Sequence, residues 1–333
     1  MYNAKIMGVG SYLPPNKVTN HDLEKIIDTN DEWIRQRSGI EARYWAPKEM
    51  GTVDLAEKAS LEAIEKSGLD KSDIDFIICA SISNDADIPG TGCFLQAKLG
   101  LGEVPTLDIR QQCSGFVYAT FMANQFIESG MYKNILVVGV ELQSRGINKT
   151  TEGRDIAVLF GDGAGAMVLS RDDSGESKVI ASDLHSDGRF AKELWISAPG
   201  SCAGREERLN KEIMEKGEHF PYMNGKVVFV HAIKKMSQTV INVLEKAKMS
   251  KEDIGCYLFH QANLRINQKV QETLGLSDDQ VFNTIQKYGN TTAATIPIGL
   301  ADALKEGRIK RGDHIIFAAF GSGFSWGSIL LKY

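Results

Sequence analysis

The feature that most constrains this chain is an internal duplication. With the sequence laid over itself at a shift of 180 positions, Leu61, Ile64, Glu65, Lys66, Leu69, Lys71, Asp73 and Ile74 fall on Ile241, Leu244, Glu245, Lys246, Met249, Lys251, Asp253 and Ile254 without a gap. Five of these eight pairs are identical. The same shift lays 76–80 over 256–260 and 135–140 over 315–320. One offset shared by separate stretches implies two related halves, residues 1–175 and 176–333. In each half, helix-like and strand-like segments alternate, which predicts an α/β class with mostly parallel sheets. The continuous apolar run at 134–140 suits a strand covered on both faces. Pseudo-symmetric halves bring the ends of their strands together, and sites tend to form at such junctions.

Local signals punctuate this plan. Apolar residues at helical spacing predict helices over 52–67, closed by Gly68, and over 226–247. Thr19 and Asn30 stand where helix caps are expected, and the second helix carries Trp33 and Arg37 one turn apart on one face. Gly8, Gly10, Pro14 and Pro15 predict a loop after a strand over 5–9. The polar, glycine-punctuated segment 171–225 predicts a connection between the halves that covers a site. The glycines of 160–166 resemble a phosphate-binding loop, but a strand follows them and not a helix. Close backbone packing is the better account.

Composition narrows the function. The net charge of −5 argues against a general nucleic-acid binder. No apolar stretch reaches the roughly 18 residues that span a bilayer, so no membrane role is expected. The five cysteines are odd in number and form no CxxC pair, which suggests neither a disulfide framework nor a zinc site. The first residues run into a strand-like segment and lack a secretory leader's apolar core. A reducing, cytoplasmic compartment is the expectation.

Four segments carry chemistry. The stretch 104–127 reads as a buried strand, a sharp turn holding Cys113, and a buried helix. A thiol at a helix N-terminus is expected to have a lowered pKa, and the thiolate is the nucleophile; the alternative is a small buried hydrophobe. His260 ends an apolar strand where it opens into a loop. Asn290 stands at the mouth of another buried helix, where capping is the competing role. The glycine-rich turn at 321–327 lets a backbone amide approach a ligand.

Together with Asp31-Glu32-Trp33-Ile34, Arg37-Ser38-Gly39-Ile40, Gly161-Asp162-Gly163-Ala164-Gly165-Ala166, His260-Gln261-Ala262-Asn263-Leu264-Arg265-Ile266 and Gly289-Asn290-Thr291, these segments resemble the β-ketoacyl-acyl-carrier-protein synthase III family of the thiolase superfamily. The resemblance covers nearly the whole chain. It implies the thiolase fold, two pseudo-symmetric α/β halves in a layered αβαβα arrangement, and a homodimer. It implies a catalytic Cys113, His260 and Asn290, with the amides of Cys113 and Ser322 as the oxyanion hole. An acyl-CoA would load Cys113, and a malonyl-acyl carrier protein would then decarboxylate and condense to a 3-oxoacyl product, initiating fatty-acid synthesis. By the same resemblance Trp33 and Arg37 contact the adenine of CoA, Arg154 lies near it, Asn263 lines the pantetheine tunnel and Arg265 docks the carrier protein. No metal or cofactor is implied.

Some positions depart from the family pattern. Gln111 and Gln112 replace small residues before the cysteine, as in synthase-III-like enzymes of secondary metabolism such as the alkylquinolone-pathway condensing enzymes. Ser322 stands where many relatives have Gly or Ala. Glu272, Thr273 and Val230 occupy usually basic docking positions, with Lys226, Lys234, Lys235 and Lys269 nearby. A second reading is therefore a condensing enzyme or acyltransferase of secondary metabolism that uses CoA thioesters, including malonyl-CoA. A third, an inactive binding homologue, is opposed by the intact triad.

Overall fold

The computed structural model describes residues 2–333, and its helix ends follow the capping residues. Thr19 accepts from the Asp22 N–H, Asn30 Oδ1 accepts from the Trp33 N–H at 2.8 Å, and left-handed Gly39 and Gly68 close the helices before them.

The first half runs β1 (Asn3–Tyr12), β2 (Asn16–Thr19), α1 (Asn20–Leu23), α2 (Asp31–Ser38), β3 (Ala42–Trp45), α3 (Thr52–Ser67), β4 (Phe76–Ala80), α4 (Thr91–Leu99), β5 (Thr106–Ile109), α5 (Gly115–Glu128), β6 (Asn134–Glu141), α6 (Arg154–Ala157) and β7 (Gly163–Asp172). The second runs β8 (Lys178–Ser186), β9 (Leu194–Trp195), α7 (Lys211–Glu215), β10 (Tyr222–Met223), α8 (Gly225–Ala247), β11 (Cys256–Phe259), α9 (Leu264–Leu274), α10 (Ile285–Tyr288), α11 (Thr295–Lys305), β12 (His314–Gly321) and β13 (Ser325–Lys332).

Two large sheets form, ordered β1-β7-β6-β4-β5 and β11-β12-β13-β8. Helices α5 and α11 lie between them, and α5 touches strands of both. Helices α3 and α4 cover the outer face of the first sheet, while α8 packs on the outer face of the second and carries α9. This is the αβαβα layering that the resemblance implies. A central apolar cluster that includes Ile78, Phe116, Val137, Ile296, Phe317 and Ile329 joins the sheets through the middle helical layer.

The duplication is legible in the hydrogen bonds, with one member of each pair shifted by 180 residues and its partner by about 175. Ile77 pairs with Thr106 in the first sheet, and Tyr257, 180 residues on, pairs with Val281 as an isolated bridge where the second sheet has no full fifth strand. Lys71 Nζ donates to Leu99 O at 3.2 Å, and Lys251 Nζ donates to Leu274 O at 3.1 Å.

Three expectations need correction. The sheets are mixed: β4 pairs in parallel with β5 and β6, but β1, β7, β8 and β13 all pair antiparallel. The short turn between β12 and β13 leaves no room for a crossover, so that pair must be antiparallel. Gly8 and Gly10 do not break β1. They let α3 sit directly on the strand: a Cβ on Gly8 would stand 2.5 Å from Ser67 N, and one on Gly10 equally close to Ala63 N. Segment 171–225 is not all connection, because β8 completes the second sheet against β13.

Gly10→Ala is thus expected to destabilise the fold by about 2 kcal/mol or more through forced separation of helix and strand. Urea unfolding, compared with an exposed control such as Gly188→Ala, measures it. Equal midpoints would mean that α3 yields without cost.

Candidate active site

Two turns of the same shape meet between the sheets. Gln111, Gln112 and Ser114 lead into α5 through a short 3-10 turn that carries Cys113. Thr291, Thr292 and Ala294 lead into α11 through the same turn, with Ala293 in the place of the cysteine. Gln112 has φ 46° and Thr292 has φ 50°, a left-handed conformation that non-glycine residues seldom adopt. Each turn rests against a glycine of the other half. A Cβ on Gly321 would lie 2.8 Å from Cys113 Cβ, and one on Gly139 would lie 2.5 Å from Ala293 O. The buried hydroxyls of Ser114 and Ser325 hydrogen-bond at 2.8 Å across the junction.

His260 follows β11 and is held in register by its N–H, which donates to Ala318 O at 2.8 Å. Its ring is buried, with Nδ1 2.7 Å from Thr295 Oγ1. The same hydroxyl lies 3.0 Å from Thr292 O, to which it can donate. When it turns to donate to Nδ1 instead, the proton of the neutral ring is on Nε2. That nitrogen is buried and has no partner among the described residues. Asn290 accepts the Thr292 N–H on Oδ1 at 2.9 Å, which is the capping role the sequence allowed. The bond orients the amide, and the NH₂ end is left without a partner among the described residues.

Burial sets the charges. It pushes His260 down to about 3, so the imidazole is neutral at physiological pH. It pushes the Cys113 thiol up to about 12, and the carboxylate of Glu141 adds to the rise; the amides of Cys113 and Ser322 act in the opposite sense on the sulfur. The expectation of a lowered cysteine pKa is thereby corrected: desolvation outweighs the amides at the helix mouth. Glu141, which accepts from Ile82 N, Ser83 Oγ and Gln143 Nε2, is itself pushed up to about 8 by burial.

Cys113, His260 and Asn290 line one cavity together with Leu159, Phe229, Asn263 and Gly321. An outer cavity shares Leu159, Met223, Gly225, Phe229 and Asn263 with it and opens past Trp33 and Arg37. A path from the surface to the thiol follows. At its mouth the Arg37 guanidinium lies 4.4 Å and that of Arg154 5.2 Å from the Trp33 ring. Asn263 caps α9 by accepting the Arg265 N–H and donates to Arg37 O at 2.9 Å, so its amide is spent on joining α9 to α2. Arg265 lines the outer cavity as well and also borders a neighbouring surface groove with Phe229, Val230, Ile233 and Lys234. Lys269, in the same groove, is paired with Glu272 at 2.8 Å.

Sequence reasoning missed Thr295, Gln143 and Glu141. Thr295 had one available signal, its position in the helix that Asn290 precedes. Glu141 had another, since the 180-residue shift places it opposite Gly321 in the glycine turn.

A family model of 3-oxoacyl-[acyl-carrier-protein] synthase III matches residues 107–188, and a model of that family's C-terminal part matches residues 244–333. The chain is 43% identical over 330 residues to the β-ketoacyl-[acyl-carrier-protein] synthase III of Caldanaerobacter subterraneus subsp. tengcongensis, covering 99% of this chain and 98% of that one. It is 42% identical over 334 residues to that of Campylobacter fetus subsp. fetus, covering 100% and 99%. The crystal structure of 3-oxoacyl-[acyl-carrier-protein] synthase III from Aquifex aeolicus superposes with a TM-score of 0.90 at 39% identity, covering 99% of this chain and all of that one.

A thiol titrating this high has a measurable signature. Thiolate content rises about tenfold per pH unit below the pKa, so iodoacetamide modification of Cys113 is expected to accelerate about tenfold per unit from pH 7 to 9. Peptide mass spectrometry reads the rate. A plateau below pH 8 would mean that the amides of Cys113 and Ser322 dominate.

Proposed function

The chain belongs to the 3-oxoacyl-[acyl-carrier-protein] synthase III family, and from that membership we propose how its own residues share out the family's reaction. It is a condensing acyltransferase in which an acyl-CoA and then malonyl-acyl carrier protein give a 3-oxoacyl product that starts fatty-acid synthesis. The full-length relatives favour this reading over an enzyme of secondary metabolism.

Cys113 is the nucleophile. Its sulfur bonds to the acyl carbonyl carbon, the bond from that carbon to the CoA sulfur breaks, and CoA leaves as the thiol with the proton that Cys113 gives up. The amides of Cys113 and Ser322 hold the carbonyl oxygen while it carries negative charge. The malonyl thioester then takes the place of CoA. As carbon dioxide leaves, the electrons of the broken C–C bond form an enolate, whose oxygen accepts from His260 Nε2–H and the Asn290 NH₂. The enolate carbon attacks the acyl group, and the Cys113 sulfur departs and is reprotonated.

The observation that carries this reading is the pair of unpartnered neutral donors, His260 Nε2 and the Asn290 amide, in the cavity that holds the thiol. A neutral donor suits charge that appears only in transit, and each well-placed one is worth on the order of 3 kcal/mol. Thr295 is a positioning residue that keeps the His260 proton on Nε2. Trp33, Arg37 and Arg154 receive the nucleotide end of CoA, Asn263 lines the pantetheine path, and Arg265 meets the acidic carrier protein. The proposal extends to 1–175 and 176–333 as the two structural halves, to a homodimer in the cytoplasm, and to a reaction that needs no cofactor.

Two outcomes test the roles. Cys113→Ser is expected to abolish the acyl adduct seen by intact-protein mass spectrometry, and condensation at the wild-type rate would refute the nucleophile. His260→Ala and Thr295→Val are expected to spare adduct formation and to slow release of carbon dioxide from malonyl carrier protein, by about a hundredfold for His260→Ala and less for Thr295→Val. Equal loss in both half-reactions would instead make His260 the base for the thiol. For docking, Arg265→Glu is expected to raise KM for malonyl carrier protein by a larger factor than KM for acyl-CoA in steady-state assays. An equal rise in both would sink the assignment.

A further inference from the structure

A second cavity reaches Cys113 from the side away from the Trp33 entrance. Ile82, Trp195 and Ile196 stand on its apolar walls, and Arg110, Gln112 and Gln143 on its polar ones. It shares only Cys113, Phe160 and Leu194 with the cavity of His260 and Asn290. An acyl group bound to the Cys113 sulfur, with the other cavity occupied by pantetheine, has this space to extend into.

The polar wall is specific. Arg110 is the only charged side chain lining the cavity, and its guanidinium makes no ion pair or hydrogen bond among the described residues. The nearby acid Asp87 is bound to Arg208 at 2.6 Å. Gln143 spends its NH₂ on Glu141 at 3.1 Å and Thr292 at 3.2 Å, which fixes the amide and leaves its carbonyl oxygen without a protein partner. Gln112 Nε2 donates to the backbone carbonyl of Arg110 at 3.2 Å, which ties the two residues together. Arg110 is exposed at the rim of the cavity, and a purely hydrocarbon acyl chain would make no polar contact with it or with the Gln143 carbonyl oxygen, whereas a chain with an anionic end could.

We propose that the acyl group carried by Cys113 ends in a carboxylate, held by Arg110 with Gln112 beside it, so that the preferred primer is an ω-carboxyacyl-CoA. The methylenes between thioester and carboxylate lie along Trp195, Ile196 and Ile82. This rests on the condensing-enzyme reading above and names its first substrate. Chemically, the chain then consumes the product of a dicarboxylic-acid–CoA ligation or a comparable thioester-forming reaction.

The test uses matched pairs that differ only at the far end: succinyl-CoA against butyryl-CoA, and glutaryl-CoA against pentanoyl-CoA. Single-turnover loading of Cys113, without malonyl substrate, is followed by intact-protein mass spectrometry. A charge-assisted contact predicts that at least one carboxylate member loads about tenfold faster than its methyl-ended mate at low ionic strength. Arg110→Met is expected to bring that ratio to one or below, and Arg110→Lys to restore part of it. Because each ratio is taken within one protein, a general loss of activity cancels. Faster loading of the methyl-ended mate in both wild-type pairs would overturn the proposal, as would an unchanged ratio in Arg110→Met. Either result, with adducts still on Cys113, leaves the condensing-enzyme reading standing. Absence of any adduct from all four thioesters and acetyl-CoA would remove that reading and this proposal together.

Discussion

The site depends on backbone approaching backbone across the two halves. Gly321 of the second half lies against Cys113 of the first, and Gly139 of the first lies against Ala293 of the second. No side chain larger than hydrogen fits at either place without moving a turn. Both turns hold a non-glycine residue in the left-handed region, at a cost of order 1–3 kcal/mol each. The packing of α5 and α11 between the sheets offsets it. The apolar cluster in that middle layer therefore fixes the positions of thiol, imidazole and amide.

Burial makes the resting site electrically quiet. The thiol is pushed up and the imidazole is pushed down, so both are uncharged at pH 7, and burial pushes Glu141 up as well. Charge arises there only during the reaction, on oxygens for which fixed donors already wait. Donors that need not reorganise are worth more in such surroundings than in water. Arg110, at the rim of the second cavity, is the exception: Asp87 lies within reach of its charge but spends its carboxylate on Arg208, so no ion pair holds the Arg110 guanidinium among the described residues.

Much of this was legible in the chain because the informative signals are short-range or periodic. Asn30 and Gly39 mark the ends of α2 by local hydrogen bonding, and the shift of 180 pairs the Cys113 turn with the Ala293 turn in the sequence itself. Cys113, His260 and Asn290 each follow a strand or open a helix, so their neighbours in sequence predict their setting. What was hidden is what tertiary packing decides. Gly8 and Gly10 look like chain breakers until α3 is seen resting on them. The Cys113 pKa follows local helix polarity in the sequence but burial in the fold. Thr295 gains its place only when β11 brings His260 alongside α11.

The duplicated turn has a last consequence. One copy retains a sulfur, while the other has Ala293 and an amide three residues before it. In the proposed mechanism neither copy holds both the nucleophile and the donors that steady an enolate. The ancestral unit, if it worked as a pair of identical subunits, could not have specialised one turn without spoiling the other. Joining two copies in one polypeptide frees each turn to drift toward a single task, and it also makes the chain indivisible: cut near residue 175, each piece would expose its face of the shared apolar cluster and hold only part of the site.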